Sequence, residues 1–225
     1  MIWKRSRHSH RDKQDPLERA IKQADLDMLE LAAATGEIDL WFLDESGFSL
    51  WSQVSYSYYF KGAQKRLEQT KRKGRRISIL GLLQPLVTFV YALVVGSFKS
   101  DSYIEVLDEQ ARQAQQVLEK EGRIRVIVQD NGPIHTSKVT RQKWKQWQEQ
   151  GLYVFFIAKY CSETNPIETE WRQLKEHELV GQMFEDELDL AYAVIDGVEN
   201  RAQEGGYAAE RYRFPSRLEA SSSVT

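Results

Sequence analysis

The sequence predicts an α/β fold: a mixed sheet, antiparallel over its first three strands and parallel thereafter, flanked by helices. Three observations point there. Two apolar runs, ISILGLLQ (77–84) and TFVYALVV (88–95), are separated only by Pro85-Leu86-Val87, which reads as an antiparallel hairpin. From Ser100 the apolar period lengthens to three and four, with Ile104, Leu107, Ala111, Ala114 and Leu118 on one helical face. Beyond that helix, short β-rich runs alternate with helical stretches, the pattern of α/β units.

Taken in order, the first 36 residues are polar and read as a basic linker followed by a helix from about Asp15 to Thr35, stopped at Gly36. IDLWFLDES (38–46) is a short apolar strand that finishes on acids, and the aromatic SLWSQVSYSYYFKG after it suggests another short strand near Tyr58–Lys61. The second member of the hairpin is apolar throughout, as a strand buried on both faces would be. The helix that begins at Ser100 ends at Gly122, and RIRVIVQD (123–130) is again a strand closing on an acid. A helix carrying Trp144 and Trp147 spans about Thr136–Gln150, and LYVFFIAKY (152–160) is a strand. From Asn165 to about Leu179 a helix aligns Ile167, Trp171, Leu174 and Glu178, and a last amphipathic helix covers about Glu185–Gln203. The expected division is a linker and helix over 1–36, one catalytic domain over 37–204 and a loose tail over 205–225. The order β, β, β, α, β, α, β, α matches the ribonuclease H-like fold.

At 225 residues, 41% apolar and 28% charged, the chain has the composition of a globular domain with a sizeable core. One cysteine, Cys161, excludes an internal disulfide framework and a cysteine-cluster zinc site; the histidines at 8, 10, 135 and 177 offer no ligand pairing. No apolar run approaches the ~18 residues of a membrane span, and the N-terminus lacks a signal peptide's apolar core, so a cytoplasmic protein with no membrane partner is expected. The net charge of −2 conceals a segregation. Lys61, Lys65, Arg66, Lys71, Arg72, Lys73, Arg75 and Arg76 form a basic block, while nine acids fall between Glu163 and Asp189. Such a pair of blocks suits a protein that grips phosphates while holding metal cations, and equally suits two solvated faces.

Three acids stand at element ends: Asp44, Asp130 and Glu168. Neighbouring strands of an open α/β sheet bring their carboxyl ends to one edge, so Asp44 and Asp130 converge if their strands are adjacent. Carboxylates clustered without a lysine or arginine among them repel, and hard cations such as magnesium or manganese neutralise them. Two such ions about 4 Å apart activate an attacking oxygen and stabilise a leaving one at a phosphodiester. Each acid also has a local account. Asp44 can begin a turn, Asp130-Asn131-Gly132-Pro133 is a strong turn signal, and Asn165-Pro166 with Glu168 resembles a helix cap.

The blocks FLDESGF (42–48), VIVQDNGPIHTS (126–137) and NPIETEWRQLK (165–175) resemble, in this order and spacing, the three signature blocks of mariner-type DDE transposases, particularly their bacterial insertion-sequence members. The resemblance spans about Ile38–Leu179. It implies that Asp44, Asp130 and Glu168 are a catalytic, metal-binding triad for Mg2+ or Mn2+, two ions in all. Glu168 is preferred to Glu170 and Glu176 because the family's third acid lies in the Asn-Pro-x-acid step. Glu45, Asn131, His135 and Asn165 would support the triad or face DNA; Trp171 at helical spacing reads most simply as core. The implied chemistry is nicking at transposon ends and transfer of the freed 3′-hydroxyl into target DNA, usually at a TA step.

The basic block then becomes a set of DNA phosphate contacts, with Tyr58, Tyr59 and Phe60 beside it able to stack on an extruded base. Implied partners are the transposon's terminal inverted repeats, target DNA and a second copy of the chain in a homodimeric active complex. Full-length relatives carry helix-turn-helix modules before the catalytic domain, whereas this chain begins with MIWKRSRHSHRDK, which resembles the linker that follows them. The expectation is a catalytic half completed by a separately encoded helix-turn-helix half and acting at the bacterial nucleoid. Two other readings fit the same residues: an inactive remnant that only binds DNA or a partner, and an RNase H-like nuclease unrelated to transposition.

Overall fold

Strand β1 (Ile38–Phe48) runs through the middle of one six-stranded sheet whose order is β5-β4-β1-β2-β3-β6. The computed structural model describes residues 13–52, 61, 66, 68, 70 and 74–215. β2 (Ile77–Gln84) and β3 (Thr88–Val95) follow β1 as an antiparallel meander, and β4 (Ile124–Gln129) and β5 (Leu152–Phe156) add to its other side in parallel. This is the mixed sheet that the sequence predicts.

Helices cover both faces. On one lie α1 (Pro16–Ala34), α4 (Ile167–Gln173) and α5 (Glu187–Gly205), whose Leu26, Trp171, Leu190 and Val194 pack on Phe42, Ile79, Phe89 and Val128 of the sheet. On the other lie α2 (Ser100–Glu121) and α3 (Lys138–Glu149), whose Tyr103, Leu107, Ala111 and Trp147 pack on Leu43, Leu80, Leu82 and Ile127. Strand residues of opposite parity therefore feed two cores, as the alternation of a pleated strand requires. Among the described residues no helix is long and apolar enough to cross a membrane.

Three expectations meet different structure, and a fourth falls outside the described residues. Residues 208–212, expected in a loose tail, form β6 (Ala208–Tyr212), which pairs in parallel with β3. The run AAERY has no uniform apolar face, and the strand exists because β3 offers it a free edge, a tertiary circumstance. The helix expected over 165–179 is divided into α4 and a π-helical turn (Leu174–Glu178), and a 3-10 turn (Ser162–Thr164) precedes it. β5 stops at Phe156, and Tyr160 beyond it has a positive φ of 61°. The short strand expected near Tyr58–Lys61 falls on residues 58–60, outside the described residues; Lys61 lies in a turn.

One buried ion pair sets the alignment of β1 against β4. Asp39 and Arg125 are register partners, and Arg125 Nε donates to Asp39 Oδ2 at 2.7 Å with both side chains almost wholly enclosed. Gln84 and Gln110 satisfy the remaining atoms of the pair at 2.8 and 2.6 Å, and Trp41 lies 4.6 Å from the guanidinium. Slipping the ladder would leave two buried charges unpaired, a loss of about 3–5 kcal/mol. The register carries every later pair of residues on these strands with it.

Candidate active site

In the β1–β4 ladder each residue of β1 faces the one 86 positions later, from Ile38↔Ile124 to Phe42↔Val128. Asp44 and Asp130 are separated by the same 86 positions, two residues past the last pair of that ladder, and Asp130 lies near enough for its charge to raise the Asp44 carboxyl. Asp44 does not end its strand, as the sequence suggested. The parallel ladder ends at Phe42, while the antiparallel ladder with β2 continues through Asp44↔Gly81 to Phe48↔Ile77. The carboxylate therefore stands just past the place where β1 loses one neighbour and keeps the other. Both aspartates share the parity of Phe42 and Val128, the face on which α4 lies.

α4 supplies the third acid. Buried Asn165 donates its side-chain amide to Leu43 O at 3.0 Å, which ties the start of α4 to the residue before Asp44. Its side-chain carbonyl accepts from Ile167 N at 3.4 Å, while Glu168 makes no reciprocal cap, so the capping account leaves Glu168 without a task. Trp171 is both core and site: its ring meets Phe89 edge-on at 5.7 Å and its Nε1 donates to Asp44 Oδ2 at 2.9 Å. Gly81, the β2 partner of Asp44, makes room for that reach. A Cβ there would sit 2.6 Å from the indole and 2.8 Å from Phe89.

The electrostatics separate the three acids. Burial, then the charge of Glu168, then that of Asp130 push the Asp44 carboxyl up to about 7, against the opposing bonds from the Glu45 backbone and Trp171. Asp130 moves the other way: the hydrogen bond from His135, which outweighs burial, holds its carboxyl below the usual range. His135 Nδ1 lies 2.8 Å from Asp130 Oδ1, and Gly132 N donates to the same oxygen at 2.9 Å. Burial alone would lower the His135 imidazole, but its bond to Asp130 and the charge of Glu45 raise it to about 9. The Glu45 contact is an ion-pair distance of 3.4 Å without the geometry of a hydrogen bond, so the attraction is through space. Tyr103 packs on the His135 ring at 4.8 Å and seals it from below.

Of the other residues singled out in the sequence, Asn131 donates to Ile157 O at 2.8 Å and fixes the turn after β4. Asn165 is buried and faces the strand, not DNA. Glu170 turns away from the acids to Arg201 at 3.3 Å and Tyr207 at 3.0 Å, which leaves Glu168 as the carboxylate on the Asp44 side. In the basic block, Arg75 bonds Glu187 through its backbone N–H at 2.9 Å, Arg76 Nε donates to Ser78 Oγ at 3.0 Å, and Lys61 and Arg66 are exposed. Lys65, Lys71, Arg72 and Lys73, like Tyr58, Tyr59 and Phe60, lie outside the described residues.

Two cations stand nearer the acids than the sequence suggested. Lys175 is attracted by both Glu168 and Asp44 while burial depresses its ammonium, and Arg76 repels it. The Arg76 guanidinium lies against Gly47, three residues beyond Asp44. The signal for Lys175 was its spacing of seven from Glu168, two helical turns, which keeps both on one face.

Two aspartates and a glutamate are a hard oxygen donor set, and the Asp44 carboxyl, raised first by burial and then by the charges of Glu168 and Asp130, is one whose ionised form a divalent cation would favour. The donors thus fit such ions in kind. Among the described residues no group of three or more His, Cys, Asp or Glu closes tightly enough to enclose a single ion.

Comparison with known proteins gives one family and one fold. The profile of the family described as DDE superfamily endonuclease matches residues 39–191. The mariner Mos1 paired end complex with Mg superposes with a TM-score of 0.67 at 16% identity, over 92% of this chain and 61% of that one. The Mos1 paired end complex with Mn gives 0.62 at 15% identity, over 91% and 65%. The catalytic domain of Mos1 mariner transposase gives 0.56 at 13% identity, over 89% and 94%. This chain therefore spans less than two thirds of the transposase in those paired end complexes but nearly all of that catalytic domain. A search of curated proteins finds no match.

Proposed function

This chain belongs to the DDE superfamily endonucleases, and from that premise we propose that it is the catalytic part of a transposase, cutting DNA at transposon ends and joining the freed 3′-hydroxyl to target DNA. The observation that supports the reading is the convergence of acids at one sheet edge: the β1–β4 register that pairs Asp39 with Arg125 leads both strands toward Asp44 and Asp130, and the charges of Glu168 and Asp130 both act on the Asp44 carboxyl.

Asp44, Asp130 and Glu168 would hold divalent metal, two Mg2+ or Mn2+ ions shared among them. Bound metal supplies an activated attacking oxygen and charge stabilisation of the leaving one. The chain's own residues do the rest. Trp171 donates to one oxygen of Asp44 and so fixes the orientation of that carboxylate. His135 and Gly132 bond to one oxygen of Asp130 and fix its orientation in the same way. Asn165 locks the strand and helix that carry Asp44 and Glu168, so the acids hold their spacing without reorganising. Lys175 and Arg76 stand where a phosphate backbone would enter, and Lys61, Arg66 and Arg75 are exposed cations of the same basic block. In this reading the partners are terminal inverted repeats, target DNA, a second copy of the chain and a helix-turn-helix half that recognises the repeats, all at the bacterial nucleoid.

The test is nicking of DNA bearing the element's terminal repeats by purified chain with Mg2+ or Mn2+, supplied with the helix-turn-helix half. Asp130→Ala is expected to abolish cleavage, and undiminished cutting by that variant would sink the mechanism. A second reading, a chain that binds DNA without cutting it, draws on the absence of a closed three-ligand cage among the described residues. Metal titration separates the two. A working site gains about 2.7 kcal/mol of stability at a hundredfold excess of Mn2+ over its Kd, and a dead one gains none.

A further inference from the structure

The loop that joins β5 to α4 connects two of the three acids. At its start Asn131, in the turn that carries Asp130, donates to Ile157 O at 2.8 Å, and Ile157 N donates to Gln129 O at 3.0 Å. At its end Cys161 O accepts from Thr164 N at 3.1 Å and from Thr164 Oγ1 at 2.8 Å. Asn165 N then donates to Ser162 O at 2.9 Å and Glu168 N to Asn165 O at 3.1 Å. Between these two anchored stretches stands Tyr160, a non-glycine residue in the left-handed region with its ring exposed. That conformation is unfavourable for a residue with a Cβ and persists only where its neighbours hold it.

What holds it lies 146 positions earlier in the chain. The stretch Gln14-Asp15-Pro16 starts α1: Asp15 Oδ1 accepts from Leu17 N at 2.9 Å and Glu18 N at 3.3 Å, and Pro16 opens the first turn. This cap fixes Gln14 just outside the helix. From there Gln14 Nε2 donates to Tyr160 O at 2.7 Å and to Glu163 Oε1 at 3.1 Å, while Gln14 Oε1 accepts from Arg19 Nη1 at 3.3 Å. Arg19 Nη2 lies 3.6 Å from Glu163, and Lys13 Nζ lies 5.8 Å from the centre of the Tyr160 ring. Behind these contacts Leu26 of α1 and Ile157, Ala158 and Cys161 of the loop line a gap of about 10 Å3, no larger than one water, so the helix is a firm base for them.

We propose that Gln14 is a positioning residue for Glu168: the head of α1 straps Tyr160 and Glu163, and through the loop it sets where α4 begins. The inference rests on the reading of Asp44, Asp130 and Glu168 as a divalent-metal site. An ion pair as exposed as Arg19–Glu163 contributes little to stability, so the strap governs the placing of Glu168 more than the survival of the fold.

The experiment uses the full chain and its Gln14→Ala variant, with Mn2+ affinity read by calorimetry and amide hydrogen exchange followed without metal. The variant is expected to bind Mn2+ about two- to tenfold more weakly, as the loss of one hydrogen bond would give. It is also expected to exchange faster at the Asn165 and Glu168 amides while β2 and β3 keep their protection. Tyr160→Gly removes the conformational penalty that the strap opposes, so in that background Gln14→Ala is expected to change the affinity by less than about twofold. Wild-type exchange at Asn165 and Glu168 in the Gln14→Ala chain overturns the proposal. Faster exchange with wild-type Mn2+ affinity also overturns it, since a merely structural tie behaves so, as does a loss of affinity undiminished by Tyr160→Gly. A wild type that takes up no Mn2+ removes the metal-site reading, and the exchange result then upholds or sinks the strap by itself.

Discussion

Asp44→Asn is expected to stabilise the metal-free chain while destroying its function. The carboxyl of Asp44 sits at about 7 in the fold against 3.8 in the open chain, because burial and the charges of Glu168 and Asp130 oppose its ionisation. Below the open-chain value both states are protonated and no penalty exists. Between 3.8 and about 7 the unfolded chain releases a proton that the folded chain retains, so stability falls as pH rises, and above about 7 the loss is complete. At about 1.4 kcal/mol per unit of pKa difference the full penalty is of order 4 kcal/mol. Asp44 keeps some contact with solvent, and screening cuts the expected effect to about 2 kcal/mol. For a chain of this length that corresponds to about 4–8 °C in Tm.

The assay is a pair of thermal melts of wild type and Asp44→Asn in EDTA, at pH 5 and at pH 8.5. The variant's advantage is expected to grow between the two values, since asparagine keeps an acceptor for Trp171 and carries no charge. Adding Mn2+ at pH 8.5 is expected to raise the Tm of wild type and leave that of the variant unchanged. His135 also titrates, and its stabilisation, present below the open-chain value of 6.5, is lost as pH rises through about 9; comparing the two proteins at each pH largely removes that contribution. A variant no more stable than wild type at pH 8.5, or an advantage equal at both pH values, would refute the claim that burial and the neighbouring acids oppose ionisation of Asp44.

Two further substitutions test how the acids are held. Gly81→Ala places a Cβ 2.6 Å from Trp171 and 2.8 Å from Phe89, and is expected to cost about 1–3 kcal/mol in denaturant melts while reducing cleavage through the lost Trp171–Asp44 bond. Asn165→Ala leaves the Leu43 carbonyl without its side-chain donor and is expected to cost about 1–3 kcal/mol; urea unfolding reads that loss, and a drop in Mn2+ affinity reads the loosened α4.

Much of the fold was legible because its signals are local. The hairpin at 77–95, the period change at Ser100 and the glycine stops at 36 and 122 are properties of neighbouring residues, and the elements lie where those signals put them. β6 was not legible, since AAERY becomes a strand only because β3 has an edge to fill. Lys175 was missed, and Arg76 was named only as part of the basic block, for a related reason. Charge in the linear sequence says which blocks are basic, whereas closeness to the acids depends on how α4 and the start of β2 come together.

For the site, the chemistry of the donors was present in the residue types: two aspartates and a glutamate in blocks of recognisable order, with few histidines and one cysteine to suggest anything else. The separation of 86 between Asp44 and Asp130 was also in the sequence, but it had no meaning until a second pair with that separation, Asp39 and Arg125, was found bonded in the core. A strand's own residues choose which of its side chains share a face; its alignment with a neighbour is chosen by contacts that neither strand can make alone. That is why candidate acids could be named along the chain, whereas the burial of Asp44 and the nearness of Glu168 and Asp130, which together raise its carboxyl, belong to the folded sheet.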